Sequence, residues 1–421
     1  MNNKENRNKV SISVVGAGDR GKDSYALYAL DYPNDLEIVA VAEPNEVKRK
    51  EFAKTHNIKE ENIFSSWEDL LDCERLSDGI IIATQDDMHF KPTKIALEKG
   101  YDVLLEKPMS NDIKEIVALG ELAKQYDNNF MICHVLRYSP FFSKLKELIG
   151  SGVIGDLRSM QHNENIGYYH MAHSFVRGNW RNEGESSPII LAKSCHDMDI
   201  MLWLVGSKCT KISSFGNLSH FKASNAPKNS AKRCLECSLE KECPYSAPAL
   251  YYKHIGHWPS SVITDDHTSE GVTKALKEGP YGRCVYHCDN DVCDHQVVMM
   301  EFENDVTATF NLSAFTDKTH RTIKLMGSLG EIRGDDRKSV IELTVFGEET
   351  QLIELDSVKG RHGGGDYGIM EDFVNLLKGS EGKALTSAEV SVESHVMAFA
   401  CEESRHNGLV VNIKSFYDSI K

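Results

Sequence analysis

The amino-acid sequence predicts an α/β fold in which a parallel sheet comes first along the chain and an antiparallel sheet follows. The 421 residues are enough for two domains. Up to about residue 138, short apolar runs alternate with helical patterns, which is typical of a doubly wound parallel sheet covered by helices on both faces. Further on, runs at 297–302, 306–313 and 323–328 are alternating or β-branched and are broken by Gly, Asn and Asp. Such runs indicate an antiparallel sheet with one solvated face.

The first domain is predicted over residues 1–138. Right-handed crossovers would join its strands into one parallel sheet. The predicted strands are 10–15, 36–42, 79–83, 101–105 and 130–134, and the predicted helices are 23–30, 46–56, 67–71, 91–99 and 111–125.

The second domain is predicted over residues 139–421 as a further α/β domain. A stretch at about 217–296 has weak periodicity and is rich in Cys, Pro and His, so we interpret it as an insertion. Besides the three strand-like runs, a strand is predicted at 157–163 and helices are predicted at 141–149, 196–204, 367–378 and 387–406.

The composition argues against nucleic-acid and membrane partners. There are 63 acidic and 48 basic residues, and a net charge of −15 repels phosphate backbones and anionic lipids. Apolar runs such as 200–205 are far shorter than the ~20 residues of a membrane span. The first residues contain no apolar segment typical of a secretory signal. We therefore expect a cytoplasmic protein whose 11 cysteines are thiols, metal ligands or redox groups rather than disulfides.

The turn after the first predicted strand carries the pattern G-x-G-x-x-G, which is typical of dinucleotide-binding sites. The first Gly permits the tight turn, the second lets a pyrophosphate approach the backbone, and the third lets helix and strand pack closely. The helix N-terminus adds free N–H groups. The motif consists of Gly16, Ala17, Gly18, Asp19, Arg20 and Gly21.

Glu43 ends the second predicted strand, where an acidic side chain binds the hydroxyls of the adenosine ribose. A carboxylate there repels a 2′-phosphate, so the predicted cofactor is NAD rather than NADP. Ligands bind at the carboxyl edge of such sheets, where the third and fourth strands end. The further candidate cofactor contacts at these strand ends are Thr84, His89, Glu106 and Lys107.

Together with the glycine motif, the E-K-P triplet at 106–108 resembles the glucose–fructose oxidoreductase / inositol dehydrogenase (Gfo/Idh/MocA) family. The resemblance covers most of the chain and includes R-Y at 137–138, G-V-I-G at 152–155 and H-D-M-D-I-M-L-W-L-V-G at 196–206. It implies a Rossmann domain followed by an α/β domain with a large, mainly antiparallel sheet.

The resemblance also implies two catalytic residues. Lys107 would lie near the nicotinamide, orient the reacting hydroxyl and stabilise developing alkoxide charge. His196 would exchange a proton with that hydroxyl, since an unperturbed histidine pKa of about 6.5 allows transfer in either direction near neutrality.

One position departs from the family pattern. Inositol-type dehydrogenases often carry Asp four residues before this His, whereas this chain has Ala192, followed by Lys193. If the helix begins early enough, Lys193 and His196 share a face, and the lysine would lower the pKa of His196. Lys193 could also bind an acidic group of the substrate, and a solvated lysine is the alternative.

Residues 168–181 interleave aromatic rings, histidines and arginines with no clear period. Such a set suits a pocket in which aromatic faces stack on sugar rings and polar groups bind hydroxyls or carboxylates. A structural loop packed on the sheet is the alternative. With Lys193, the candidate substrate contacts are Tyr168, His173 and Arg177.

Six of the cysteines lie between Cys234 and Cys293. A C-x2-C turn directs two thiolates at one tetrahedral ion, and two more would complete a structural zinc site that pins the insertion. An iron–sulfur cluster, a redox pair or plain buried thiols are the alternatives. The predicted ligands are Cys234, Cys237, Cys243 and one of Cys284 and Cys288.

These expectations combine into an NAD(H)-dependent oxidoreductase that transfers a hydride between nicotinamide and a ring hydroxyl of a sugar, glycoside or cyclitol. One alternative is an NAD-dependent glycoside hydrolase that oxidises the sugar transiently and eliminates the leaving group. Another is a non-catalytic regulator that senses a dinucleotide. We also expect a homo-oligomer, because the one-sided sheets of this family often pair through their open face.

Overall fold

The computed structural model of the chain describes residues 9–356 and 358–420. Its first sheet consists of β1 Val10–Val15, β2 Leu36–Ala42, β3 Ile63–Phe64, β4 Gly79–Ile82, β5 Asp102–Leu105 and β6 Phe130–Ile132. All of its strands are parallel and are hydrogen-bonded in the order β3-β2-β1-β4-β5-β6. The strand order reverses between β1 and β4, which is where open α/β sheets bind their ligands.

Helices cover both faces of this sheet, which is why every residue of β4 and β5 is buried. The helices of this part of the chain are α1 Leu27–Asp31, preceded by a π-helical turn Gly21–Tyr25, α2 Glu46–Thr55, α3 Trp67–Asp72, α4 Phe90–Glu98, α5 Ile113–Ala123 and α6 Pro140–Gly150. A later helix, α13 Gly365–Leu377, returns to this sheet, where its Phe373 packs beside Gly79.

The second sheet has nine strands, in the order β14-β13-β12-β11-β7-β10-β9-β8-β15. Only β7 and β10 pair in parallel, so the predicted mainly antiparallel sheet is confirmed. The strands are β7 Leu157–Gly167, β8 Cys209–Asn217, β9 His295–Phe302, β10 Thr307–Thr316, β11 His320–Gly327, β12 Gly330–Asp335, β13 Val340–Val345, β14 Gln351–Glu354 and β15 Val411–Asn412. Residues of β9 alternate strictly between exposed and buried, because one face of the sheet covers the core and the other is open.

The remaining helices pack on the covered face of the second sheet, belong to the insertion or lie close to the first sheet. They are α7 Tyr168–His170, followed by a π-helical turn Met171–Arg177, α8 Ile189–Ala192, α9 Cys195–Val205, α10 Ala247–Tyr251, α11 Ser260–Ile263, α12 Ser269–Glu278, α13 Gly365–Leu377, α14 Ala388–Asn407 and α15 Ile413–Ile420. No helix in the described ranges is long and apolar enough to cross a membrane.

The insertion connects β8 to β9, whose ends lie directly opposite each other at Asn217 and His295. A short turn could join two such strands. The chain instead forms a separate layer that includes α10, α11 and α12. The small core of this layer consists of Cys234, Ala247, Tyr251, Val272 and Leu276. The domain boundary at residue 138 stays a prediction.

Candidate active site

The glycine loop after β1 has the geometry that a dinucleotide requires. Gly16 has a φ of +92°, and a Cβ atom there would lie 2.4 Å from the carbonyl oxygen of Ala83. A Cβ atom on Gly21 would lie 2.0 Å from the carbonyl oxygen of Gly16, which reflects the close approach of helix and strand. Apart from chain neighbours, no described atom lies within 4 Å of the Cβ position of Gly18. The loop is therefore open where a pyrophosphate would approach the backbone.

Glu43 follows β2, and its carboxylate contacts the glycine loop. Its Oε2 accepts a hydrogen bond from the backbone N–H of Ala17, and its Oε1 accepts one from the backbone N–H of Asn45, each at 2.9 Å. A carboxylate oxygen can accept a second hydrogen bond. The ribose hydroxyls that an acidic residue binds at this position can therefore still be accommodated, and the residues present fit NAD.

Two of the predicted cofactor contacts, Arg20 and Glu106, form an ion pair with each other. Arg20 Nε lies 2.5 Å from Glu106 Oε1, and its Nη2 lies 3.0 Å from Asp366 Oδ1. Burial disfavours the charged form of Glu106, but the charges of Arg20 and Lys107 hold its pKa below the usual value. The pairs tie the glycine loop to the end of β5 and to the start of α13. This favours a positioning role for both residues over direct cofactor contact.

His89 also connects strand ends rather than facing open space. It is fully buried, with Nδ1 2.7 Å from the carbonyl oxygen of Pro108 and Nε2 3.2 Å from that of Thr84. Thr84 itself is half-exposed just beyond β4. Asp19 of the glycine loop pairs with Arg361 at 2.5 Å.

Lys107 and the helix of His196 meet at the carboxyl edge of the first sheet. Nζ of Lys107 donates a hydrogen bond of 2.8 Å to the carbonyl oxygen of Ala192, the last residue of α8. The next helix, α9, begins at Cys195 and carries His196 in its first turn. The bond thus fixes Lys107 to the end of the helix that precedes the one carrying His196.

His196 is held in the neutral form. Its side chain is buried, and burial lowers its pKa well below the usual value. The positive charge of Lys107 lowers this pKa further. Nδ1 of His196 is buried and has no hydrogen-bond partner in the described part of the chain. The rings of His134 and His362 lie 5.8 and 5.9 Å away. A neutral imidazole with a free nitrogen can accept a proton from a hydroxyl.

Lys193 belongs to a buried charge cluster next to α9. Its Nζ lies 3.4 Å from Oε1 of Glu164 on β7. Arg321 on β11 pairs with Glu164 at 2.5 Å and with Asp197 at 2.7 Å. Burial lowers the pKa of Lys193 and raises that of Glu164. With two cations and two carboxylates, the cluster is close to neutral overall.

The expectation that Lys193 and His196 share a helix face is wrong. Lys193 lies in the break between α8 and α9, which end and begin at Ala192 and Cys195. Since no continuous helix connects the two positions, the i, i+3 relation does not apply. The sequence assigned to Lys193 the role of the cation that lowers the pKa of His196. In the structure, Lys107 is the cation with the largest effect on that pKa.

Residues 168–177 turn toward the insertion. His173 is 3% exposed, and its Nδ1 lies 2.9 Å from the hydroxyl of Tyr251. Arg177 is 1% exposed and donates hydrogen bonds of 2.7 Å to the carbonyl oxygens of Tyr245 and Arg283. All three partners belong to the insertion. These contacts favour an anchoring role for His173 and Arg177 over the predicted contact with substrate.

Tyr168 and His170 are less deeply buried than His173 and Arg177, and both are half-buried. The ring of Tyr168 lies 6.1 Å from that of Tyr245. Burial lowers the pKa of His170, and the charges of Lys193 and Lys107 add to that effect. The neutral form of His170 is therefore favoured.

The cysteines of the insertion do not form a ready metal site. In residues 9–356 and 358–420, one group of three potential ligands lies within 4.8 Å, and it consists of Glu183, Glu402 and His406. Its two carboxylates already pair with Arg405. Cys234 accepts a contact of 3.6 Å from Arg177, and Cys288 donates one of 3.3 Å to the carbonyl oxygen of Cys284. Zinc in the insertion stays a prediction.

The chain matches a family described as "Oxidoreductase family, NAD-binding Rossmann fold" over residues 10–134. It matches the corresponding "Oxidoreductase family, C-terminal alpha/beta domain" over residues 146–413. The chain belongs to the Gfo/Idh/MocA oxidoreductase family. The resemblance stated from the sequence is thus confirmed.

Among relatives in the Gfo/Idh/MocA family, YteT of Bacillus subtilis (strain 168) is 25% identical over 74% of this chain and 77% of its own length. The inositol 2-dehydrogenase of Corynebacterium glutamicum (strain R) is 25% identical over 48% of this chain and 56% of its own length. Levoglucosan dehydrogenase, solved in complex with NADH and levoglucosan, has a TM-score of 0.72 at 16% identity. That match covers 96% of this chain and 99% of the other, and shows a common fold.

Sequence reasoning did not single out several residues of the site. His170 lies inside the aromatic segment, but the sequence of this segment has no period that shows which surroundings its side chain faces. His362 lies in the run H-G-G-G-D at 362–366, whose glycines are a usable signal for a tight turn. Glu164 and Arg321 come from different strands, so no spacing in the sequence connects them.

Proposed function

We propose that this chain is an NAD-dependent dehydrogenase that acts on a ring hydroxyl of a sugar, glycoside or cyclitol. The observation that carries the proposal is the hydrogen bond from Lys107 to Ala192, which places an ammonium group next to the helix of a neutral His196. This pair lies at the carboxyl edge of a sheet whose glycine loop fits a dinucleotide. Inositol and levoglucosan, named for two relatives, are both polyhydroxylated rings.

The residues of the site divide the work between binding and proton transfer. Gly16, Gly18 and Gly21 shape the loop for the pyrophosphate, and Glu43 binds the ribose. When bound, NAD supplies hydride transfer at its nicotinamide ring. His196 accepts the proton of the substrate hydroxyl during oxidation and returns it during reduction. Lys107 orients that oxygen and stabilises its developing negative charge.

Absorbance at 340 nm, with purified protein, NAD and a panel of sugars, glycosides and cyclitols, tests the proposal. We expect steady NADH production with one class of substrate. His196→Asn and Lys107→Ala should lower turnover about 10²- to 10⁴-fold, the usual contribution of a positioned acid or base. Lys54→Ala, at an exposed position of α2, is the matched control.

Other outcomes of the same assay point to other functions. Release of an aglycone without net NADH would replace the proposal by the transient-oxidation hydrolase. Full turnover in Lys107→Ala would contradict the assigned mechanism. NAD binding without turnover on any substrate would favour a dinucleotide-sensing regulator.

We also infer a homo-oligomer that assembles through the open face of the second sheet. Phe215 and Val297 are cross-strand partners on β8 and β9 and are 60% and 39% exposed. Met299, two residues further along β9, is 49% exposed. Contiguous apolar side chains on one side of a sheet are typical of a protein interface.

A further inference from the structure

We propose that the insertion between β8 and β9 forms one wall of the substrate site, and that Trp258 is the surface on which the ring of the substrate packs. The proposal rests on the proposed function and deepens it, because it names the element that selects the substrate. The ligand class is a six-membered sugar or cyclitol ring.

The topology of the second sheet places the insertion at the correct edge. The parallel strands β7 and β10 end at the same edge of the sheet, where Gly167 pairs with Thr316. β9 is antiparallel to β10 and begins at that edge, and β8 ends there opposite His295. The aromatic segment that follows β7 and the insertion that follows β8 therefore leave the sheet side by side.

Buried contacts hold the two segments together. Arg177 and His173 bond to the insertion as described above, and the ring of His173 stacks on Tyr281 with centroids 5.0 Å apart and planes at 20°. A buried guanidinium with two carbonyl acceptors is costly to displace. The insertion is thus a fixed part of the site rather than a loosely attached lobe.

Trp258 extends from the insertion to three rings of the segment that follows β7. Its indole centroid lies 5.2 Å from His170, 5.4 Å from His173 and 6.3 Å from Tyr169, in edge-to-face arrangements. The indole is half-exposed. His170 follows directly on β7, and Glu164 of this strand pairs with Lys193 at 3.4 Å, so the indole packs on the segment that leaves the sheet next to this lysine.

Another part of the insertion reaches the opposite end of the cofactor crevice. Asp265 accepts a hydrogen bond of 3.2 Å from Asn45, the residue whose backbone N–H is bonded to Glu43. Its carboxylate also lies 3.9 Å from Nζ of Lys48. Residues 258–265 therefore run from the substrate end to the ribose end of the crevice.

The chemistry of Trp258 suits a sugar or cyclitol ring. The faces of such rings carry C–H groups, which pack against the electron-rich face of an indole, while the hydroxyls at the rim bind polar groups. His170, whose ring lies 5.2 Å from the indole, supplies such a polar group.

The test compares Trp258→Ala and Trp258→Phe with Tyr252→Ala, a matched ring truncation at an exposed position of the same insertion. With NAD and the substrate that gives turnover, Trp258→Ala should raise KM about 10-fold or more and leave kcat within a few-fold, as expected when binding alone is lost. Trp258→Phe should recover most of the affinity. Titration with NADH, followed by its fluorescence, should give the same Kd for all four proteins.

Three outcomes would overturn the proposal. Turnover with an unchanged KM in Trp258→Ala would show that Trp258 does not contact the substrate, and the proposed function would still hold. A loss of kcat and of NADH affinity in both Trp258 variants would indicate a structural role. If the wild type binds NADH but neither turns over nor binds any ring in the panel, measured by quenching of tryptophan fluorescence, both the substrate class and the stacking role fail.

Discussion

The folded state should lose stability when the pH falls below 6.5, because it keeps the buried ring of His173 neutral. Burial lowers the pKa of His173 to about 3, whereas an unfolded histidine has a pKa of about 6.5. The folded state therefore favours the neutral ring. The stability that this provides is fully present above pH 6.5 and is lost as the pH falls from 6.5 toward 3, because the unfolded state binds more protons in that window.

The size of the effect follows from the two pKa values. At pH 5.5, protonation of His173 in the unfolded state raises the unfolding equilibrium constant about 11-fold, whereas the folded state is almost unprotonated. The ratio corresponds to a loss of about 1.4 kcal/mol in the free energy of unfolding. At pH 4.5 the same arithmetic gives a loss of about 2.7 kcal/mol. Since other buried histidines titrate in the same direction, the contribution of His173 must be measured as a difference between two proteins.

His173→Asn serves this purpose, because its amide can reach the hydroxyl of Tyr251 and does not titrate. Urea denaturation of both proteins at pH 7.5 and 5.5 gives the loss of stability for each. We expect the variant to lose about 1.4 kcal/mol less than the wild type between these pH values. Equal losses in the two proteins would show that His173 is protonated without disturbing its contacts, and would refute the anchor.

Three other changes test separate parts of the molecule. Glu43→Ala should weaken NAD binding about 10-fold, by removing hydrogen bonds to the ribose, and should narrow the preference for NAD over NADP, which titrations with both cofactors would reveal. Met299→Arg should produce monomers by placing charges on the open sheet face, and sedimentation of an unchanged oligomer would contradict the inferred interface. Elemental analysis of protein purified without chelators decides between zinc and plain thiols in the insertion: zinc that is lost in Cys237→Ser would establish the metal site, and a wild type without metal would establish plain thiols.

The main strands of the first sheet and four strands of the second, β7, β9, β10 and β11, could be predicted from hydrophobic pattern. β1, β2, β4 and β5 are mainly apolar because helices cover both faces of their sheet, and such runs are easily recognised. The two-residue β3 was not predicted, since so short a strand carries no period. β14 alternates poorly because it lies at the sheet edge, with most of its residues exposed. The predicted helix at 23–30 begins instead as a π-helical turn, which has no signature in the apolar pattern.

The cofactor part of the site was easier to predict than its internal bonding. Gly16 and Gly21 are required because a Cβ atom at either position would collide with a nearby carbonyl oxygen, and a sequence motif shows such a local requirement directly. Arg20 and Glu106 also belong to motifs, but Arg20 pairs in addition with Asp366, far along the chain. A motif identifies the residues at such a site and does not say whether a side chain contacts the ligand or a neighbouring side chain.

The aromatic segment shows why spacing alone could not assign roles. His170 and His173 are three residues apart, and either ring suits a pocket or a packed interface. The difference arises from the neighbours, since His170 stays half-buried, whereas His173 is buried against Tyr251 and Tyr281. Those neighbours arrive through the pairing of β8 with β9, which brings the insertion to the edge where β7 ends. In this chain the connection between two adjacent antiparallel strands has become part of the catalytic edge, so the substrate preference depends on a segment that the motifs of the family do not include.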